Sequence, residues 1–149
     1  MSETVIQVTS LGKRIKGKTI LEEISFEINK GDCVALIGPN GAGKTVLMSC
    51  ILGDKKPSNG QVLIDGKAGK AKNKIAVLLQ ENTIPNSLKV EELIAFFQSI
   101  SDNPLTNQEV QELLQFKEDQ YQQFADKLSG GQRRLLAFVL CLIDKPKIL

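Results

Sequence analysis

The chain has 149 residues, of which 42% are hydrophobic, and carries 19 basic and 17 acidic side chains. This length is within the range of one domain, and the apolar content is enough for a globular core. A net charge of +2 is too small to predict a nucleic-acid or anionic-membrane ligand. The chain has no histidine, which excludes imidazole catalysis and metal ligation by histidine.

The sequence shows no signal peptide and no membrane span. No apolar run approaches the roughly 20 residues that cross a bilayer, and residues 1–4 do not open a basic region followed by an apolar stretch. The three cysteines stand far apart among apolar residues, without C-x-x-C spacing. They are Cys33, Cys50 and Cys141. We therefore expect a cytosolic protein with three buried free thiols.

Four β-strands are predicted from the first 65 residues, and one of them, at residues 33–37, directly precedes a glycine-rich loop. Residues 4–9 are the first of them, and residues 24–29 alternate strictly between apolar and polar positions. This alternation predicts a single buried face, made of Ile24, Phe26 and Ile28. Residues 61–65 form the last predicted strand of this region, and the dipeptide Asp65-Gly66 closes it as a hairpin.

Residues 38–45 read GPNGAGKT and fit the phosphate-binding pattern G-x-x-x-x-G-K-[ST]. The apolar residues 33–37 predict a buried strand before this loop, and residues 46–52 predict a helix that Gly53 ends. Glycines let the backbone curl around phosphates, which the loop amides and the helix dipole attract. In this pattern Lys44 reaches the β- and γ-phosphates, and Thr45 places its hydroxyl on Mg²⁺. The predicted phosphate-binding residues are Gly38, Pro39, Asn40, Gly41, Ala42, Gly43, Lys44 and Thr45.

A lysine-rich stretch separates the predicted strand at residues 61–65 from another apolar run. Its basic residues are Lys67, Lys70, Lys72 and Lys74. Their spacing near glycines favours a solvated surface loop, and contact with a polyanion is the alternative. The apolar run that follows covers residues 75–79 and ends at Gln80, which predicts a further strand.

From about residue 87 the apolar period becomes that of a helix. Two stripes follow, the first made of Val90, Leu93, Ile94 and Phe97, the second of Val110, Leu113 and Leu114. Residues 106–109 read TNQE, which is a capping box at the start of the second helix. These stripes predict a small helical subdomain, inserted into an α/β core, whose apolar residues pack as a core.

Residues 128–132 read LSGGQ and precede an apolar segment, residues 133–143, that predicts a largely buried helix. Small residues at a helix start leave backbone amides accessible, which makes a second anion site. Ser-Gly-Gly alone is also a common turn. The position of this motif downstream of a phosphate-binding loop favours an anion-binding role over an ordinary turn.

The loop and LSGGQ together resemble the ATP-binding cassette (ABC) ATPases, in which LSGGQ is the signature motif. The resemblance covers the whole chain in the family's order, and Gln80 matches the Q-loop glutamine. It implies an α/β fold: a P-loop NTPase (RecA-like) core with an N-terminal antiparallel β-layer and an inserted helical subdomain, C-terminally incomplete. The implied divisions are about 1–82 for the β-layer and core, 83–131 for the helical subdomain, and 132–149 for the return to the core.

The resemblance also implies an ATPase that uses ATP and Mg²⁺ and works as a head-to-tail dimer. Gln80 joins the ATP-binding residues, and Thr45 and Gln80 serve the Mg²⁺. The signature residues contact ATP held by the partner; they are Leu128, Ser129, Gly130, Gly131 and Gln132. The expected partners are a second ATP-binding domain and a separate transmembrane permease, with no nucleic acid. The expected location is cytoplasmic, peripheral on the inner face of the plasma membrane.

The sequence departs from the family's pattern in two places. The family usually stacks an aromatic ring on adenine where Ile15 stands here, which implies weaker ATP binding. Residues 144–149 lead into an apolar run where the family's Walker B strand opens, and its acidic residues and later switch histidine have no counterpart here. Asp65, Glu81 and Asp144 do not have the Walker B setting. We therefore expect an incomplete copy of a longer domain that binds nucleotide with negligible turnover and has no catalytic residue.

Two alternatives to a transporter ATPase remain. One is a soluble ABC-type ATPase acting on DNA or ribosomes. The compact helical region between Gln80 and Leu128, which has no heptads or cysteine pairs, favours the transporter. The other is a nucleotide-binding remnant without turnover, which an ATPase assay of this chain mixed with a complete homologue would distinguish.

Overall fold

The computed structural model describes residues 3–68, 75–81 and 84–149. The chain divides into two compact units, Met1–Lys72 and Asn73–Leu149. Strands dominate the first unit, and helices dominate the second. No helix in the described ranges has both the length and the apolar character needed to cross a membrane.

The first unit is built on a four-stranded antiparallel sheet with the strand order β2-β1-β3-β4. The strands are β1 (Thr4–Ile15), β2 (Lys18–Asn29), β3 (Asn59–Ile64) and β4 (Lys67–Ala68). Three of the four strands predicted in the first 65 residues are confirmed, although β1 and β2 are longer than predicted. Asp65 and Gly66 have φ values of 49° and 71° and join β3 to β4. Positive φ at both central residues is what a two-residue hairpin turn requires, so the predicted hairpin is confirmed as well.

The predicted buried face of β2 is only partly buried. Ile24, Phe26 and Ile28 alternate with exposed neighbours as expected, but each is half-buried. Their partners on β1 in the register are Leu11, Val8 and Ile6, and these are the buried residues. The difference arises because β2 is the edge strand of the sheet, so its side chains have a neighbouring strand on one side only.

Two apolar runs that predicted strands do not form them. Residues 33–37 have no strand assignment, and Val34 and Ile37 are 60% and 89% exposed. Residues 75–79 form only a one-residue parallel bridge, between Ile75 and Ile148, and Leu79 is 60% exposed. An apolar run becomes a buried strand when neighbouring strands satisfy its backbone groups. Residues 33–37 have no such neighbour in the part of the chain that is described.

Helix α1 (Lys44–Ile51) belongs to the first unit and buries Leu47 and Cys50. Gly53 follows it with a φ of 77°, so the predicted helix and its glycine end are confirmed. Lys67 is exposed on β4, whereas the other three residues of the lysine stretch lie outside the described residues.

The three cysteine thiols differ in solvent exposure, whereas the sequence predicted that all of them are buried. All three cysteines are free, as expected. Cys50 is buried and Cys141 is half-buried, but Cys33 is exposed because residues 33–37 are not covered by a sheet. Burial raises the pKa of both the Cys50 and the Cys141 thiol, which keeps them protonated and unreactive at neutral pH.

The second unit is a bundle of short helices. They are α2 (Val90–Ser99), α3 (Asn107–Leu114), α4 (Glu118–Tyr121) and α5 (Gly130–Leu142), with a 3₁₀ turn at Ala125–Lys127 before α5. The predicted helical region and the helix after LSGGQ are therefore confirmed. The shared core includes Val90, Leu93, Val110, Leu114, Leu136, Val139 and Ile143. Phe97 packs against this core, whereas Leu113 is 43% exposed and was wrongly assigned to it.

The capping box predicted at the start of α3 is present. The Thr106 hydroxyl accepts a hydrogen bond from the Glu109 amide at 3.2 Å, and the Glu109 carboxylate accepts one from the Thr106 amide at 2.7 Å. Hydrogen bonding of the Glu109 carboxylate by the Thr106 backbone amide and side chain, together with the charge of Lys145, lowers the pKa of Glu109. The box satisfies two helix-start donors that have no partner within the helix.

Neighbouring leucines on α3 provide a matched test of this core. Leu114 is 2% exposed and Leu113 is 43% exposed. We predict that Leu114→Ala lowers the free energy of unfolding by about 2–5 kcal/mol because it leaves a cavity. Leu113→Ala should cost less than about 1 kcal/mol. Urea unfolding followed by circular dichroism measures both, and equal losses would contradict this packing.

Candidate functional site

The predicted phosphate-binding residues 38–45 lie in the first unit: residues 38–43 form a loop that leads into α1, and Lys44 and Thr45 are the first two residues of that helix. Gly41 and Gly43 have φ values of 84° and 93°, in the left-handed region that favours glycine. A Cβ atom on Gly43 would lie 2.9 Å from Leu21 Cδ2 and 3.2 Å from the Ile20 carbonyl oxygen. Only glycine therefore fits this position, which lets the loop turn tightly into the helix.

Lys44 is folded back over the loop that precedes it. Its Nζ donates hydrogen bonds to the carbonyl oxygens of Gly38 at 2.6 Å and Pro39 at 2.7 Å. An ammonium group has three donors, so one is left for a phosphate oxygen. These bonds hold the positive charge against the first two residues of the loop, Gly38 and Pro39.

The start of α1 fits a polyphosphate. Its N-cap, Gly43, supplies no side-chain hydrogen bond, and no acidic residue stands in the first turn. The first amides of the helix are therefore open to an anion, and the positive end of the helix dipole points the same way. Thr45 is exposed in that first turn. Amides, an ammonium and a hydroxyl form a donor set suited to phosphates.

For Mg²⁺, the candidate site residues Thr45 and Gln80 offer neutral oxygens. No group of three or more potential ligands from cysteine, aspartate and glutamate is found in the residues described. Mg²⁺ commonly keeps several waters and is held largely by substrate phosphates. The Thr45 hydroxyl in the first unit and the Gln80 amide oxygen in the second are each a neutral oxygen of the kind that can supplement such ligands, and Mg²⁺ would supply neutralisation of phosphate charge.

The segment that carries Gln80 lies in the second unit and runs beside α5. The Ala76 amide donates to the Ile148 carbonyl oxygen at 2.9 Å, and the Cys141 thiol lies 3.6 Å from the Val77 carbonyl oxygen. Arg134 Nη1 donates to the carbonyl oxygens of Gln80 and Leu79, at 3.0 and 3.3 Å. The side chain of Gln80 is exposed.

The LSGGQ residues form the start of α5. Leu128 is buried in the helical core and anchors the motif. Ser129 is the N-cap: its Oγ accepts a hydrogen bond from the Gln132 amide at 3.2 Å, and Gln132 Oε1 accepts one from the Ser129 amide at 3.0 Å. The Ser129 hydroxyl hydrogen is still available to a ligand, because Oγ acts as an acceptor in this capping box.

Gly130 and Gly131 complete an exposed surface at the start of α5. Both are exposed, and a Cβ atom built on either would meet nothing within 4 Å. Internal packing therefore gives no reason for glycine at these two positions. Small side chains there leave the first amides of α5 open to an external anion.

The structure brings some predicted site residues together and leaves others in separate units. Residues 38–45 form one continuous segment of loop and helix start in the first unit, whereas Gln80 and LSGGQ both belong to the second unit and are connected there through α5. No sequence pattern indicated that Arg134 would hydrogen-bond to the backbone of Gln80. Its contact spans 54 residues of sequence, so no local pattern could have indicated it.

The order of the elements along the chain defines a recognisable class of fold. It is an α/β fold in which a P-loop and its helix stand between the second and third strands of an antiparallel sheet, and a later helix begins at LSGGQ. The chain belongs to the ABC transporter family, whose sequence model matches residues 21–149.

Relatives of known function are similar to the chain along nearly all of its length. The methionine import ATP-binding protein MetN of Legionella pneumophila (strain Paris) is 35% identical over 158 residues, covering 97% of the chain and 46% of that protein. The spermidine/putrescine import ATP-binding protein PotA of Protochlamydia amoebophila is 34% identical over 148 residues, covering 93% and 39%. The chain thus spans less than half the length of these relatives.

Solved structures show the same fold. The protein cbiO1 of Clostridium perfringens, described as part of an ABC transporter complex, matches with a TM-score of 0.81 and 22% identity. The match covers 97% of this chain and 63% of that one. An ATP-binding cassette in a dimeric post-hydrolysis state, bound to ADP and Pi, matches with a TM-score of 0.73 and 20% identity. This second match covers 95% and 70% of the two chains.

Proposed function

We propose that this chain is the ATP-binding part of an ABC transporter and binds MgATP on residues 38–45. The observation that carries the proposal is the geometry of the loop: two glycines with positive φ, a lysine ammonium held against its first two residues and an uncapped helix start. Membership of the ABC transporter family supports it. Both named relatives are import ATP-binding proteins, which favours an importer.

In the proposed complex, the phosphates bind where the first amides of α1 are open. Lys44 would place its remaining donor on the β- and γ-phosphates. The Thr45 hydroxyl and the Gln80 side-chain amide would serve the Mg²⁺, which would neutralise phosphate charge, and Gln80 would also contact the attacking water. Because the Lys44 ammonium and the first amides of α1 carry positive or partly positive charge before the nucleotide arrives, little reorganisation is needed when phosphate charge develops.

We further propose that the signature residues act on a second ATP-binding domain. Ser129, Gly130 and Gly131 would contact the γ-phosphate held by that partner through a hydroxyl and two backbone amides. Their exposure supports a contact made between chains, and a solved relative of the same fold is described as dimeric. Closing two anion-binding surfaces on one ATP makes a nucleotide-dependent clamp.

The clamp would drive a separate transmembrane permease, with this chain peripheral on the cytoplasmic face of the plasma membrane. The names of the relatives, which are ATP-binding proteins of import systems, support this arrangement. The exposed Gln80 segment is the part of the second unit that we propose couples nucleotide to the permease.

The nucleotide site can be tested with one matched pair of variants. We predict that Lys44→Ala weakens MgATP binding about tenfold or more, because a charge-assisted hydrogen bond to phosphate is lost. Lys18→Ala removes the same charge from an exposed position at the start of β2 and should leave the affinity unchanged. Isothermal titration measures both. Folded parent protein that does not bind MgATP would disprove the site.

Hydrolysis is a separate prediction. No residue of this sequence matches the family's Walker B acids or switch histidine, and loss of a general base alone typically slows a reaction about 10²–10⁴-fold. We predict that the 149-residue chain by itself binds ATP but releases phosphate at a negligible rate. A phosphate-release assay measures this. Turnover close to that of a full-length relative, abolished by Lys44→Ala, would refute it.

We predict that replacing Ile15 with an aromatic residue raises the affinity of the chain for ATP. Ile15 is the last residue of β1 and is half-buried, so part of its side chain is accessible to a ligand. Base–aromatic stacking contributes about 1–3 kcal/mol, so we expect Ile15→Tyr to bind ATP about fivefold more tightly or better. Direct nucleotide titration of the variant against the parent measures this. Equal affinities would show that adenine does not stack at this position.

A further inference from the structure

We infer that Arg134 is the positioning residue of Gln80, through which α5 sets the direction in which the Gln80 side chain points. The inference rests on the proposed role of Gln80 at the nucleotide's Mg²⁺. It adds a second task to α5: the first turn of this helix carries the signature glycines, and its next residues hold the segment that carries Gln80.

The hydrogen bonds of Arg134 fall on both sides of one residue. The Leu79 carbonyl belongs to the peptide before the Gln80 Cα, and the Gln80 carbonyl belongs to the peptide after it. Arg134 Nη1 donates to both, at 3.3 and 3.0 Å. Holding two successive peptide planes restricts the φ and ψ angles of the residue between them. The exit direction of the Gln80 side chain is restricted with them.

The chemistry of the donor suits this task. A guanidinium is charged at every physiological pH, is planar, and has five N–H donors in a fixed geometry. Its hydrogen bonds are charge-assisted and stronger than those of a neutral amide. Because Gln80 is exposed and outside any regular strand, neighbouring strands do not supply this restraint.

Helix α5 holds the same segment at a second point. Cys141 lies two turns after Arg134 on the same side of the helix, and its thiol lies 3.6 Å from the Val77 carbonyl oxygen. Between these two contacts, Ala137 and Leu140 line a groove together with residues of the 77–79 stretch. The segment therefore follows the long axis of α5, with the strongest contact nearest Gln80.

The neighbouring residue, Arg133, does not share the contact that Arg134 makes with residues 79 and 80, but hydrogen-bonds to a different part of the backbone. Arg133 Nη2 donates to the Asp126 carbonyl oxygen at 2.8 Å, in the turn before LSGGQ. Two adjacent arginines of α5 thus hold two different backbone segments. Arg133 therefore provides a control with the same charge, the same helix and the same type of acceptor.

The test uses the 149-residue chain and three variants: Arg134→Gln, Arg134→Lys and the control Arg133→Gln. ATP affinity is measured with Mg²⁺ and with EDTA, and the ratio of the two affinities reports the Mg²⁺ contribution. We expect Arg134→Gln to reduce this ratio several-fold, because a less restrained Gln80 contributes less to the Mg²⁺, without changing the Mg²⁺-free affinity. Arg134→Lys should restore part of the ratio, and Arg133→Gln should keep that of the parent.

A second measurement does not depend on nucleotide. In the free protein, the carbonyl carbon NMR resonances of Leu79 and Gln80 should shift in Arg134→Gln and not in Arg133→Gln. Unchanged resonances, or an Mg²⁺ ratio equal to that of the parent, would overturn the inference. A parent chain that does not bind MgATP would instead overturn the proposed function, and the carbonyl resonances would still decide whether Arg134 holds Gln80.

Discussion

The backbone amides at the start of a helix have no partner within that helix, and both proposed phosphate contacts depend on this. A helix can satisfy these donors with a capping side chain, as α3 does with Thr106 and Glu109. Helix α1 begins instead at Gly43, which has no side chain to offer. The start of helix α5 is partly capped: Ser129 and Gln132 form a capping box, while Gly130 and Gly131 stay exposed. The choice of residue at a few positions thus separates a structural helix start from one that is open to anions.

Buried side chains fix the position of each helix start that we propose binds phosphate. Leu47 and Cys50 bury α1 against the first unit, and Leu128 and Leu136 fix the start of α5 in the helical core. Rigid placement matters because electrostatic stabilisation is effective when the donors are already oriented. In the second unit, α5 combines this placement with a hold on the Gln80 segment through Arg134. One helix therefore sets the positions of two groups that the family resemblance assigned to separate motifs.

The sequence predicted local features well because their causes are local. The glycines of the loop, the capping box at Thr106 and the Asp65-Gly66 turn each depend on a few neighbouring residues. The resemblance to ABC ATPases also predicted the family and fold class correctly. Features that depend on residues far apart in the sequence were harder to predict. Residues 33–37 are apolar enough for a strand but have no partner strand in the described part of the chain, and Leu113 lies one position away from the buried face of α3. The contact between Arg134 and Gln80 joins residues 54 positions apart and needed the structure.

The exposure of Cys33 gives this chain a natural attachment point for a probe. Cys50 is buried and Cys141 is half-buried beside the Val77 carbonyl, so a thiol-directed reagent meets Cys33 first. Cys33 precedes the phosphate-binding loop by five residues in the sequence. A fluorophore attached to Cys33 would report from a position five residues before the proposed nucleotide-binding loop, and no cysteine would have to be engineered into the protein.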